Sequence, residues 1–173
     1  MVDYTSTKSN LLCSVTLLLL MSVFILPNHA HSQPKKLVNY KVIDGNTLYN
    51  GKREVLLYGV DAPELGQTCL RDQEIWQCGR EAKQKLRQII QFQPVECKLE
   101  KVDKLNRLLS TCYVRGEDIN KRMVREGWAM AYQRHTKRYV EDERKAKDEH
   151  IGIWQSLFDD FRSFRQLNPR QNQ

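Results

Sequence analysis

The strongest constraint on the fold is a series of short, evenly punctuated β-prone stretches between residues 36 and 60. Residues 36–43 alternate around Leu37, Tyr40 and Val42, Asp44-Gly45 turns the chain, and residues 47–49 form a second stretch. Asn50-Gly51 then turns the chain again before residues 53–60. Period-two alternation broken by glycine turns is the pattern of an antiparallel meander. Strands this short and even favour a barrel over a parallel sheet.

The rest of the chain extends that frame. After an irregular stretch at 61–79, Ala82, Leu86, Ile89 and Ile90 recur at i, i+4, i+7 and i+8 with charges between them, which predicts an amphipathic helix. Residues 94–99 and 108–115 read as a β-hairpin ended by Gly116. A second helix is expected over 119–126, pairing Ile119 with Met123 and Val124 and stopping at Gly127. A third, mostly polar and largely solvated, is expected over 137–150, with Gly152 as its stop and Ile153-Trp154 packing back. Residues 155–173 are basic and aromatic without a period, and read as a peripheral tail. Five strands with a helix between the third and fourth is the order of an OB-fold. The expected class is therefore α+β, mainly β: a five-stranded OB-fold barrel with three helices. Such a barrel often presents nucleic acids or oligosaccharides on one face, but the fold by itself assigns no activity.

The first thirty residues follow a different logic. Residues 11–27, LLCSVTLLLLMSVFILP, carry no charge, follow Lys8 and lead to Asn28-His29-Ala30. This is the pattern of a signal peptide, short for a bilayer span that needs about 20 apolar residues, with an uncleaved N-terminal anchor as the alternative. Removing it takes away Lys8 and Asp3 and leaves 27 basic and 20 acidic residues, still +7. A basic excess suits an anionic partner and equally suits plain solubility. The expected destination is the periplasm or the medium, with no stable membrane span after cleavage.

Export makes the cysteines informative. Cys69, Cys78, Cys97 and Cys112 remain in the mature part, an even number that argues for disulfides. Three pairings are formally possible. Cys97 and Cys112 flank a charged turn at Lys104-Leu105, so a tight hairpin sets them opposite each other and leaves Cys69 with Cys78. Zinc is the rival, but the spacings are not CxxC, and His29, His31, His135 and His150 show no ligand pattern with them.

Oriented polar groups concentrate in the turn Asp44-Gly45-Asn46-Thr47, the segment Asp61-Ala62-Pro63-Glu64 and the turn Asp103-Lys104-Leu105-Asn106-Arg107. Singly, each reads as an ordinary turn. Together, VIDGNT, YGVDAPE, DKLNR and MVREGWA occur in an order and spacing that closely resemble the staphylococcal nuclease family, over residues 36–154. The segments GQTC and WQCG and the hairpin cysteines look like an exported bacterial branch of it. The resemblance implies a calcium-dependent phosphodiesterase in which carboxylates hold the ion, a glutamate activates water and two arginines clamp the phosphate. Those residue types suit the chemistry: Ca²⁺ takes oxygen ligands, guanidinium forks neutralise the charge gathered in the transition state, and the attacking water needs a positioned base.

Carried over by position, Asp61 matches the metal aspartate, Ala62 would lend a backbone carbonyl to the ion, Glu64 matches the general base and Arg107 one arginine. Two positions depart from the pattern. Asn46 stands where the second metal carboxylate belongs, and Leu56 where the first arginine belongs. Asn46 can still offer an amide oxygen, so weaker Ca²⁺ binding is expected. Leu56 offers nothing polar, and losing one preorganised charge donor costs about a hundred- to a thousandfold in rate. Strand alternation puts Arg53 on the opposite face from residue 56 and Glu54 on the same face. Lys121, Arg122, Arg125, Arg134, Lys137 and Arg138 could line a phosphate track beside Trp128 and Tyr132, against the plainer reading of a solvated helix face with core aromatics. The expectation is an exported nuclease of reduced activity acting on single-stranded DNA or RNA. The alternative is a catalytically inactive OB-fold module binding single-stranded nucleic acid or another anionic polymer. The sequence sets no oligomeric state.

Overall fold

The computed structural model describes residues 39–169, all within one compact unit, Lys36–Gln173. The apolar N-terminal run, with its signal-peptide expectation, lies outside the described residues. Among those described, no helix is long and apolar enough to cross a membrane.

The predicted meander is present as β1 (Lys41–Val42), β2 (Thr47–Tyr49) and β3 (Glu54–Leu57), paired antiparallel in that order. The third stretch does not run on to residue 60. Gly59 sits at φ +76°, where an added Cβ would strike Thr136 and Tyr139. The chain therefore turns there and restarts as β4 (Val60–Asp61). A small hairpin follows, β5 (Cys69–Arg71) and β6 (Glu74–Trp76), in the stretch read as irregular. Next come helix α1 (Cys78–Ile90), strands β7 (Val95–Val102), β8 (Leu108–Val114) and β9 (Glu117–Asp118), then helix α2 (Ile119–Arg125). Strand β8 pairs parallel with β3 and antiparallel with β7, giving the curled sheet order β1-β2-β3-β8-β7, with β9 on β8.

Strand β10 (Met130–Ala131) pairs with β4, setting Met130 opposite Asp61. Helix α3 (Val140–Asp148) begins three residues later than expected and is largely solvated, with only Glu143 and Ala146 buried. Its Glu143 is buried and accepts the backbone N–H of Ala131 at 3.1 Å, so α3 fixes β10 and, through it, the strand carrying Asp61. A fourth helix, α4 (Phe161–Leu167), lies where only a peripheral tail is expected. Asp160 caps it by accepting from the N–H groups of Arg162 and Ser163, and Phe161 is fully buried.

The main core lies between the concave sheet and the first two helices. Leu48, Val55 and Leu57 face Leu86, Ile89 and Ile90 of α1 and Ile119, Met123 and Val124 of α2. A second, smaller cluster joins Cys69, Cys78, Ile153 and Phe161. Both expected disulfides form, Cys97–Cys112 across the directly opposed residues of β7 and β8, and Cys69–Cys78 from β5 to the start of α1.

Candidate functional site

Three turns and a strand end converge on one cleft. Gly45 makes the first approach possible: a Cβ there would lie 2.7 Å from that of Ala62 and 2.9 Å from that of Ala82. The absence of a side chain lets the Asp44–Thr47 turn lie against both the β4 end and α1. The Asp44 side chain accepts the N–H of Asn46 at 2.9 Å, and the Asn46 amide nitrogen donates to the Val60 carbonyl at 3.1 Å. Asn46 thus ties the first turn to the strand that presents Asp61.

Glu64 is placed by Gln67, which is almost fully buried. The Glu64 N–H donates to the Gln67 side-chain oxygen at 3.2 Å, and the Gln67 side-chain nitrogen donates to the Asp159 carbonyl at 2.9 Å. Gly79, at the start of α1, lies so close that an added Cβ would overlap the Glu64 carbonyl oxygen. On the opposite wall the 103–107 turn is closed by Asp103, whose carboxylate accepts from the N–H groups of Leu105 and Arg107 and from Arg107 Nε at 2.7 Å.

The cleft so formed has a volume of about 470 Å³ and holds Asp44, Asn46, Asp61, Glu64 and Arg107 along its walls. Ala62 is buried behind it. Glu54 and Leu56 both face it, as strand alternation requires, while Arg53 points away and reaches Asn106 at 3.4 Å. Leu56 therefore puts an apolar side chain on the wall where the family pattern has an arginine. Of the two aromatic candidates, Tyr132 lines the cleft and Trp128 packs against the core.

Sequence reasoning missed two cleft residues. His135 stacks on Tyr58 with ring centroids 5.2 Å apart and meets Tyr132 edge-on at 4.5 Å. Arg165 arrives from α4, donating Nη1 and Nη2 to the two carboxylate oxygens of Asp61 at 3.0 Å each, and Nη1 also to Glu64. The available signal was Asp160 as an N-cap ahead of Phe161, Phe164 and Arg165 at helical spacing.

Electrostatics follow from crowding of like charge. Burial pushes the Glu64 carboxyl above the ordinary glutamate value and the nearby Asp44 and Asp61 charges add to it, while Arg165 pulls the other way. Burial likewise raises Asp44, against the hydrogen bonds it accepts from Asn46 and Thr47. His135 is shifted down by burial and by Lys101.

The donors gathered near Asp61 and Asn46 are oxygen groups, the type that a hard divalent ion takes. Among the described residues, no three His, Cys, Asp or Glu side chains converge as a metal cage, and both Asp61 oxygens are engaged by Arg165. Asp61 and the Asn46 side-chain oxygen are the oxygen groups that the family pattern would offer a cation here. The basic helix residues are largely occupied elsewhere: Arg122 by Glu117 and Glu126, Arg125 by Glu149, Arg138 by Glu100, and Lys121 by Asp142. Four of the six are thus paired on the surface, and none of the six lines the cleft.

Comparison with known proteins agrees with this geometry. Residues 54–156 match the family model described as staphylococcal nuclease homologue. Similar proteins include the succinoglycan biosynthesis protein ExoI of Rhizobium meliloti, 31% identical over 66% of this chain and 62% of its own length. The endonuclease YncB of Bacillus subtilis is 31% identical over 73% of this chain and 65% of its own length. An uncharacterized endonuclease of Haemophilus influenzae is 29% identical over 66% and 63%. The chain thus spans less than two thirds of the length of these relatives. The family match encloses Asp61, Glu64, Arg107 and all four paired cysteines, while Asn46 lies before it and Arg165 after it. The chain belongs to the staphylococcal nuclease family.

Proposed function

We propose that this protein hydrolyses nucleic-acid phosphodiester bonds with the help of a weakly bound divalent cation, Ca²⁺ by family resemblance. The observation that carries this reading is the convergence of Asp61, Glu64, Arg107 and Asn46 on one cleft from separate turns and strands. In this reading Glu64 takes a proton from the attacking water, Arg107 contacts the phosphate, and Asp61, Asn46 and the Ala62 carbonyl hold the ion. The ion, when bound, supplies positive charge to the phosphoryl oxygens. Burial raises the Glu64 carboxyl above its ordinary value, which makes it a stronger proton acceptor. Tyr132 and His135 give the cleft an aromatic wall beside which an unpaired base would fit, which favours single-stranded DNA or RNA. Two disulfides are compatible with work in an oxidising compartment, the periplasm or the medium.

The test is cleavage of single-stranded DNA by the mature protein with and without Ca²⁺, beside Glu64→Gln. The expected result is Ca²⁺-dependent cleavage that falls about a hundred- to ten-thousandfold in the variant, the usual share of a general base. Asn46→Asp should tighten Ca²⁺ binding by restoring a charged ligand. Absence of any Glu64-dependent cleavage would favour the second reading, an inactive barrel that binds single-stranded nucleic acid or another anionic polymer. The observation on that side is Leu56, an apolar side chain on the cleft wall.

A further inference from the structure

The residue that most changes the character of the cleft comes from outside the family match. Asp44, Glu54, Asp61, Glu64 and Asp103 all line it, against the guanidinium groups of Arg107 and Arg165. A phosphodiester entering such a wall of carboxylates needs cationic contacts that the walls themselves scarcely provide. Arg107 already gives its Nε to Asp103.

Arg165 is delivered by built structure. Phe161 and Arg165 stand one helical turn apart on α4, so burying the first aims the second. Phe161 is 0% exposed in the cluster with Cys69, Cys78 and Ile153. The approach to α4 is pinned as well: Leu70 and Leu157 exchange two backbone hydrogen bonds of 2.8 Å, and Asp159 accepts from the buried Gln67 that also positions Glu64. The element that sets the base and the element that carries Arg165 therefore share one hydrogen-bonding residue. The guanidinium reaches both Asp61 and Glu64, the groups between which the metal, the water and the phosphate of the proposed reaction would meet.

We propose that Arg165 is the second phosphate-contacting guanidinium of this site, supplied from the C-terminal helix in place of the side chain absent at Leu56; this rests on the hydrolytic reading above. A cation taking up the Asp61 carboxylate would relieve Arg165 of its two-point bond there, and its planar fork would turn to phosphate oxygens, which it matches bidentately. The anchored Phe161 holds the stem in place while the head changes partner.

Three variants decide it: Arg165→Ala, Arg165→Lys, and Leu56→Arg combined with Arg165→Ala. Each is measured for Ca²⁺-dependent cleavage of single-stranded DNA, for binding of a phosphorothioate oligothymidylate in Ca²⁺, and for Ca²⁺ binding alone by calorimetry. Arg165→Ala is expected to lose about a hundred- to a thousandfold in rate and to bind the oligonucleotide more weakly, with Ca²⁺ binding undiminished. Arg165→Lys should recover only part, and the double variant should regain at least about tenfold over Arg165→Ala. An Arg165→Ala protein that cleaves as fast as the parent, or faster, overturns the proposal and makes Arg165 a strap competing with the ion. If the parent protein does not cleave at all, the hydrolytic reading falls and the binding arm decides alone. Weakened oligonucleotide binding then upholds the contact, and unchanged binding overturns it.

Discussion

Asn120 holds the walls of the cleft together with one amide. It is fully buried on α2, donates to the carbonyls of Tyr58 and Ser110 at 3.0 Å each, and accepts the N–H of Cys112 at 3.0 Å. Three backbone groups from the β3–β4 corner and the middle of β8 thus meet at a single side chain, although the Ser110 carbonyl also accepts the Tyr58 N–H at 2.8 Å. Replacing it with alanine removes the side-chain partner of the Tyr58 carbonyl and the Cys112 N–H, and an unsatisfied buried polar group costs about 1–3 kcal/mol. Asn120→Ala should therefore lower the unfolding free energy by about 2–4 kcal/mol, read by urea titration, and a loss under 1 kcal/mol would mean that the two groups find other partners. The individual residues differ in how far they could be read in advance. Asp61, Glu64 and Arg107 each sit in a short sequence motif, so the sequence marks them as candidates. Arg165 meets Asp61 across 104 positions and Glu64 across 101, a pairing that no local pattern encodes. Asn120 sits in an ordinary helical stretch, and its role is visible only once its three backbone partners are brought around it.

At the scale of elements, α1 and α2 are joined at their edge by Glu126, which accepts from Lys85 on one helix and Arg122 on the other. Burial acts to raise the Glu126 carboxyl, but its hydrogen bonds to Lys85 and Arg122 outweigh that and hold it below the ordinary glutamate value. A carboxylate depressed on folding stabilises the native state above its unfolded pKa, and that contribution is lost as pH falls through the folded value. Glu126→Gln should accordingly cost about 1 kcal/mol or less at pH 7, since the partners stay partly solvated, with the difference shrinking as the pH is lowered toward 3. Urea titrations at the two pH values measure it, and a cost that persists in acid would assign the effect to packing rather than charge. The sequence reads α1 and the β7–β8 hairpin from their long apolar spacing, and the shorter α2 from Ile119, Met123 and Val124 bounded by Gly127. It fails where tertiary contacts or weak local signals decide an element. The third strand is cut at Gly59 by the close approach of Thr136 and Tyr139, a tertiary event. Helix α4 is as short as α2 but has one buried residue, Phe161, and no glycine stop after it, so it does not stand out from a basic tail.

Across the whole molecule the two disulfides serve different parts, and this is testable. Cys97–Cys112 ties two strands already joined along their length in the main sheet. Cys69–Cys78 instead belongs to the second cluster, where Ile153, Phe161, Trp76, Trp154 and Phe158 gather around it. Phe158 bridges Trp154 and Phe161 at ring separations of 5.5 and 5.4 Å, so the C-terminal segment rests on this cluster rather than on the barrel core. Removing the bond by Cys69→Ala with Cys78→Ala takes two buried sulfurs from the floor under Phe161. It should loosen α4 before it unfolds the barrel, because the helix has few other buried side chains. Native-state hydrogen exchange is expected to show faster opening at residues 161–167, while amides of β7 and β8 keep most of their protection. Cys97→Ala with Cys112→Ala opens a loop of 15 residues and should lower global stability by about 3 kcal/mol, without singling out α4. Equal loss of protection in α4 from both pairs would show that the second cluster does not act as a separate unit. If α4 loosens selectively, the oxidised Cys69–Cys78 pair keeps Arg165 against Asp61 and Glu64, coupling the chemistry of the cleft to a bond formed only in an oxidising compartment.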